Sequence, residues 1–348
     1  MKANGAIVLV AKCPIPGKSK TRLTPLLGSD GAASLARAML SDILVTLLSS
    51  FPENVLKVLL YAPGNEEGEA HMVDILKDLG LPYTTTTADD DDEEEEEDVY
   101  QRWILLPMVN DTSLQSSDLG GKLSNGLNRV RTLQSKLSSS SNENGDVVFL
   151  GMDSPELPLH EISHALQISS QKAHLCPAND GGYGMLCVPS HAPCPTIFEH
   201  VQWSTHLTAV SQLKALTDCG VEVSLGKLMF DIDEMEDVRG LAGRLCNVRN
   251  GVLDGDERME DVRGLAGRLC NVRNGVLDGD ERKEGGVLER CTPGAMASSS
   301  LKDGDGNMCL YTWDALMKLS IILKQEGENE DGQDRQFFIL NDKAFASC

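Results

Sequence analysis

Apolar runs of strand length alternate with segments of helical periodicity through the first two-thirds of the chain. This alternation confines the fold to a mostly parallel sheet with crossover helices on both faces. IVLV (7–10) predicts a first strand, and AASLARAMLSDILVTLLSSF (32–51) a long helix, with Gly28 before it and Ser29 or Asp30 placed to cap it. VLKVLLYA (55–62) reads as a buried strand, EAHMVDILKDLG (69–80) as a helix ending at Gly80, and LPYTTTT (81–87) as a weaker strand. WILLPMV (103–109) resumes the sheet, and residues 118–137 are helical in pattern. VVFLGMD (147–153) is the clearest strand, an apolar run that delivers Asp153 at its C-terminal end. A helix over 159–171, the loop CPANDGGYG (176–184), a short strand, a helix over 204–218 and VEVSLGKLMFDID (221–233) complete the series. The expectation is a three-layer αβα, Rossmann-like domain over residues 1–245.

Other segments interrupt or follow this pattern. DDDDEEEEED (89–98) is ten consecutive acids, nearly half of the net charge of −22; it repels itself, cannot form a core, and is expected to be a disordered insertion. The 24 residues MEDVRGLAGRLCNVRNGVLDGDER occur at 235–258 and again, without a change, at 259–282. Val238, Leu241, Ala242, Leu245 and Val248 fall at helical spacing in the first copy, so one copy is expected to pack on the domain while the other has no evident face to cover. Residues 283–348 read as a low-complexity tail with one helix candidate, 311–324, and a short FFIL strand candidate.

The acidic balance, with a pI of about 4.6, argues against nucleic acid or an anionic membrane as the main partner, so an acidic substrate must meet local cations or metal ions. Ten scattered cysteines form no CxxC pair, and the apolar run in MKANGAIVLVA is too short for a signal peptide or a membrane span. Reduced thiols and a cytoplasmic location are expected. No zinc motif is read: His160 and His164, four apart, lack a surrounding HExxH and count as a surface pair.

Against that acidic background, AKCPIPGKSKTRL (11–23) places Lys12, Lys18, Lys20 and Arg22 within eleven residues. Gly17-Lys18-Ser19 imitates the end of a P-loop, but Lys12 stands where the leading glycine belongs, and Pro14 and Pro16 remove backbone donors from the cradle. The loop is better read as an anion site at the C-terminal end of the first strand, where open α/β sheets bind ligands.

The order of motifs resembles the bacterial-type glycosyltransferase-like domain of unknown function in the GT-A nucleotide-diphospho-sugar transferase superfamily. KxPxPGxxKTRL is matched by Lys12, Pro14, Pro16, Gly17, Lys20, Thr21, Arg22 and Leu23. DLG falls at Asp118–Gly120, with Lys122 in place of the following arginine, and GxDSP at Gly151 and Asp153–Pro155. PAxDGGY is carried by Pro177, Ala178 and Asp180–Tyr183, WST by Trp203–Thr205, and a closing DxDxxxD by Asp231, Asp233 and Asp237. The likeness covers residues 5–245 and leaves out the acidic insertion, the repeat and the tail.

The resemblance implies a GT-A fold, a nucleotide or nucleotide-sugar substrate, a small acceptor, and Mg²⁺ or Mn²⁺ as cofactor. Lys12, Lys20, Arg22 and Lys122 would contact phosphate, Lys122 less well than a forked guanidinium. Asp153 would bind metal, although DSP replaces the usual DxD, with Asp231 and Asp233 supplying further oxygens; the alternative for either of these last two acids is to cap the helix that follows. Asp180 is a candidate catalytic base, an acceptor contact or an Asx-turn former beside Gly181, Gly182 and Tyr183. Trp203 either stacks on substrate or anchors the core. Glycosyl transfer is the leading reaction, nucleotidyl transfer with release of pyrophosphate the alternative, and a non-catalytic scaffold the third.

Overall fold

The computed structural model describes residues 5–51, 54–85, 98–109, 119–137, 145–168, 172–250, 309–328 and 334–346. The acidic run up to Glu97, Asp118, the second repeat copy and residues 283–308 lie outside them. The chain divides into two compact units, Met1–Cys13 with Leu47–Asp231, and Pro14–Thr46 with Ile232–Cys348.

The first unit is built on an eight-stranded sheet. In chain order the strands are β1 (Gly5–Lys12), β2 (Val55–Ala62), β3 (Tyr83–Thr85), β4 (Trp103–Pro107), β5 (Asp146–Gly151), β6 (Ala173–Pro177), β7 (Tyr183–Val188) and β8 (Val223–Leu225), arranged β3-β4-β2-β1-β5-β7-β6-β8. β1 to β5 pair in parallel, as do β6 and β8, and β7 alone runs against its neighbours. The sheet is therefore mixed α/β and mostly parallel. β1, β2, β4 and β5 consist almost entirely of buried apolar residues, as a sheet covered on both faces demands. Three helices, α2 (Glu66–Asp78), α3 (Leu119–Leu137) and α4 (Leu159–Ile168), follow β2, β4 and β5 in the chain. Leu123, Leu127 and Val130 of α3 lie on one helical face and join Ala6, Val8, Val58, Leu60 and Phe149 in a single core cluster, where each buried Leu contributes roughly 1.5–3 kcal/mol.

The sequence pattern missed β6, whose AHLCP mixes one imidazole and one thiol into a short apolar stretch. It also started the helix after Trp203 too early. α5 spans Thr208–Asp218, because Ser204 takes a positive φ of 59° and the Thr205 hydroxyl accepts the Leu207 amide at 3.1 Å, a local turn that competes with the helix.

In the second unit, a short 3₁₀ turn (Thr21–Leu23) leads into α1 (Thr24–Ser50), which bends at Gly28, where φ is 69°. By length and composition the stretch Thr21–Ser50 could cross a membrane, but 78% of its most apolar window is buried inside the protein, as in a core helix. The first repeat copy forms α6 (Met235–Asn250) and buries Val238, Leu241, Ala242 and Leu245. The span 311–324 is not one helix. A helix over Leu310–Lys318 stops where Ser320 adopts φ 58°, and the β-branched Ile321 and Ile322 turn into β9 (Ile322–Glu328), which pairs antiparallel with β10 (Asp334–Leu340). Asp42 holds the start of the Leu310–Lys318 helix, its two carboxylate oxygens accepting the Tyr311 and Thr312 amides at 2.9 and 2.8 Å.

Candidate functional site

Parallel pairing puts the C-terminal ends of β1, β2, β4 and β5 at one edge of the first unit, with Lys12 beside Ala62, Tyr61 beside Pro107 and Val10 beside Gly151. Because β7 runs backwards between β5 and β6, the end of β6 reaches the same edge. Lys12, Asp153 and Asp180 thus follow or end strands on one rim, the position in which open sheets gather ligand-binding groups. The Lys12 amide donates to Met152 Sδ at 3.1 Å, fixing the end of β1 against the turn after β5. Buried Ser154 donates from Oγ to Asp231 Oδ1 at 2.6 Å, so the DSP turn reaches the closing acidic segment through its serine. Asp231 is held from its other side as well, its amide donating to Asn179 Oδ1 at 3.2 Å. Lys122 lies half-buried in the first turn of α3.

The DGGY loop is a built turn. Asp180 Oδ1 accepts the Gly182 amide at 2.7 Å, the Asx-turn hydrogen bond. Gly181 has φ +89°, and a Cβ there would collide with the His206 carbonyl oxygen, so the chain needs glycine on both counts. Its own carbonyl accepts the Ala209 amide at 3.0 Å, which ties the loop to the start of α5. Tyr183 donates its hydroxyl to Gln212 Oε1 at 3.1 Å, and burial raises its pKa far above the usual phenol range. Trp203 packs edge-on to Tyr183 at 6.4 Å and tilted against Phe198 at 6.5 Å, with a buried Nε1 that meets no partner. In this geometry Trp203 is an aromatic anchor.

In the second unit the basic loop spends its amides on itself. The Lys18 and Ser19 N–H groups both donate to the Ile15 carbonyl, at 3.0 and 3.1 Å, and Gly17 takes a φ of 71°. That tight turn is not a phosphate-wrapping cradle. Lys20, with its side chain 6% exposed, donates from Nζ to Asp233 Oδ1 at 2.7 Å. Arg22 is 70% exposed and stands 3.5 Å from a similarly exposed Glu234, a pair worth little in water. Asp237 Oδ2 accepts the amides of Asp233 and Glu234 at 3.1 and 2.8 Å, the backward half of a capping box at the start of α6. Asp237, the third residue of α6, thus ties down the segment that enters the helix, while the Asp233 carboxylate accepts Lys20.

The carboxylates read as metal ligands are not drawn into a three-ligand cluster. Among the described residues, the one group of three or more His, Cys, Asp and Glu with converging ligand atoms is Glu161, His174 and Cys176, all buried and within 4.8 Å of one another. Asp153 and Asp231 suit a hard cation that takes one or two carboxylates and fills its remaining positions with phosphate oxygens and water. The Glu161 group escaped the sequence reading because β6 was not recognised. Its trace was the alternation His174-x-Cys176, which puts both side chains on one face of a strand.

Comparison with known proteins places the fold. A family described as "Uncharacterized protein conserved in bacteria (DUF2064)" matches residues 83–205, which include the DSP and DGGY segments. A crystal structure from Desulfovibrio desulfuricans G20, described as a "putative nucleotide-diphospho-sugar transferase", superposes with a TM-score of 0.53 at 20% identity, covering 78% of this chain and 98% of that one. No curated protein matches the sequence. The likeness shows a shared α/β fold.

Proposed function

We propose that this protein is a transferase that takes a glycosyl group from a nucleotide-diphospho-sugar and passes it to a small acceptor. The observation that supports the reading is the rim of the first unit, where Lys12 ends β1, Asp153 and Asp180 follow β5 and β6, and Ser154 is hydrogen-bonded to Asp231. A bound Mg²⁺ or Mn²⁺ would supply the positive charge that lets a diphosphate approach these acids and that steadies the leaving nucleoside diphosphate. Asp153 and Asp231 would hold it, with Ser154 orienting the Asp231 carboxylate. Lys12 offers a cation to phosphate oxygens, and charge-assisted bonds of this kind contribute roughly 1.5–3 kcal/mol. The Asx turn aims the DGGY backbone, and Asp180, exposed on that turn, is assigned to the acceptor hydroxyl, from which it would take a proton as the sugar carbon is attacked. Lys20 and Arg22 are assigned phosphate contacts on the strength of the sequence resemblance; for Lys20 this requires release from Asp233.

The test is product analysis on the full chain with UDP- and GDP-sugars, and separately with nucleoside triphosphates, with and without EDTA. Metal-dependent release of nucleoside diphosphate, abolished by Asp153→Ala, is expected. Pyrophosphate from a triphosphate would transfer the same residues to nucleotidyl transfer. Tight nucleotide binding unaffected by EDTA and by Asp153→Ala would overturn the metal assignment.

A further inference from the structure

Glu161 of α4, His174 and Cys176 of β6, and the chain just after β8 enclose a small buried polar site that the proposed transfer reaction does not use. His174 Nδ1 lies 2.8 Å from Ser224 Oγ, and that hydroxyl donates its own proton to the Ala173 carbonyl at 3.2 Å. The Nδ1–Oγ contact fixes the plane of the imidazole and leaves Nε2 pointing at Glu161 Oε2, 2.7 Å away. Two acceptor lone pairs cannot face each other at that distance in a buried place, so a proton stands between them, and a metal ion would displace that proton and spread the two atoms apart. Glu161 Oε1 is already occupied by the Lys227 amide at 3.0 Å. Burial alone would raise the Glu161 pKa, but His174 and the Lys227 N–H outweigh it and hold the carboxyl below its ordinary range.

Gly226 packs against these side chains. A Cβ on this residue would stand 2.5 Å from Cys176 Sγ, 2.7 Å from His174 Nε2 and 2.8 Å from Glu161 Oε2. Three donor atoms of three kinds, all within 4.8 Å of one another, thus cluster beside this glycine, close enough together for a zinc ion to gather them at its usual bond lengths of about 2.3 Å to sulfur and about 2.0–2.2 Å to nitrogen and oxygen. Any side chain at this position would collide with the three donors. The Ser224 contact supplies the outer hydrogen bond that metal-ligating histidines ordinarily make.

We infer that Glu161, His174 and Cys176 form a binding site for one Zn²⁺, separate from the acids at the strand rim. Sulfur, imidazole nitrogen and carboxylate oxygen together suit a borderline ion and not Mg²⁺ or Mn²⁺. On binding, the Cys176 thiol proton and the proton shared by His174 and Glu161 leave to solvent, and three metal–ligand bonds take their places. Without the metal the thiol is inert: burial, reinforced by the Glu161 charge, pushes its pKa to about 12. The ion would lock β6 to α4 and to the turn at Gly226, behind the strand that delivers Asp180.

The full-length protein, stripped with a chelator and dialysed, is titrated with Zn²⁺ and with Co²⁺. Binding of one ion per chain at this site is expected, with a thiolate-to-cobalt charge-transfer band in the near ultraviolet that Zn²⁺ bleaches. Cys176→Ser should remove the band and weaken Zn²⁺ at least tenfold, whereas Asp153→Ala should change neither. Zinc-edge X-ray absorption of the unmutated protein keeps the test independent of variant folding: one sulfur among nitrogen and oxygen ligands is expected. A shell of nitrogen and oxygen only, more than one sulfur, a band that persists in Cys176→Ser, or no bound ion would each overturn the site.

Discussion

Ser154 Oγ and Asp231 Oδ1 are joined by a 2.6 Å hydrogen bond between residues 77 positions apart in the chain. The serine of the DSP turn therefore reaches for an acid supplied by another segment. Ser154→Ala should lower stability by about 1–3 kcal/mol, since the serine is buried and its partner is a charged group. Metal-nucleotide affinity should fall at the same time. Denaturant unfolding and calorimetric titration of the same variant check both, and unchanged affinity would show that the bond only supports the fold.

Lys20 and Arg22 should separate cleanly. Lys20→Ala removes the cation from a pair in which the lysine is nearly buried, and about 1–3 kcal/mol of stability should go with it. Arg22→Ala, at an exposed position, should change stability by no more than about 0.5 kcal/mol while weakening nucleotide binding. Chemical denaturation together with nucleotide titration of both variants shows whether Lys20 serves the fold, the ligand or both, and a loss of stability with unchanged affinity would remove it from the phosphate contacts.

Gly181→Ala should be among the most damaging single changes at the rim. It adds a steric clash with the His206 carbonyl to a left-handed backbone, and a loss above about 2 kcal/mol is expected. Gly17→Ala carries a similar φ of +71° but meets open space, so it should cost only about 1–2 kcal/mol. Paired thermal melts would check the difference, and equal costs would mean that the His206 contact yields.

Asp42 should make the second unit sensitive to pH in an unusual direction. Burial pushes its carboxyl pKa up to about 7 from an ordinary 3.8, with the nearby Asp314 charge adding to the effect and the Tyr311 and Thr312 amides opposing it. The folded chain then holds a proton that the unfolded chain has already lost, so this contribution to stability is whole below about pH 4 and fades as pH rises toward 7. Asp42→Asn should flatten that part of the stability profile, as followed by unfolding across the range.

Strands that are apolar throughout were legible because burial on both faces leaves few other readings for runs such as VVFLG in β5 or VLKVLLYA in β2. β6 was lost because its His174 and Cys176 sit among partners, Glu161 and Ser224, that local pattern cannot supply. The helix end at Lys318 was lost because a left-handed serine, Ser320, carries no signal of its own. At the site, the DSP and DGGY turns could be located from sequence, but not their wiring. Whether Asp180 forms an Asx turn, or Trp203 a core contact, depends on Gly182, Tyr183 and Phe198 meeting them in space.

The first repeat copy occupies the α6 seat, and the second is an identical candidate for it. The residues that precede each copy break the tie. Before the first stand Asp233 and Glu234, which receive Lys20 and Arg22; before the second, the corresponding positions are Glu257 and Arg258. Seating the second copy would set Arg258 where Glu234 faces Arg22, exchanging attraction for repulsion, and would lengthen the approach from Asp231 by 24 residues. The Asp233–Glu234 pair thus serves as an address, a two-residue prefix that marks the seated copy apart from its repeat.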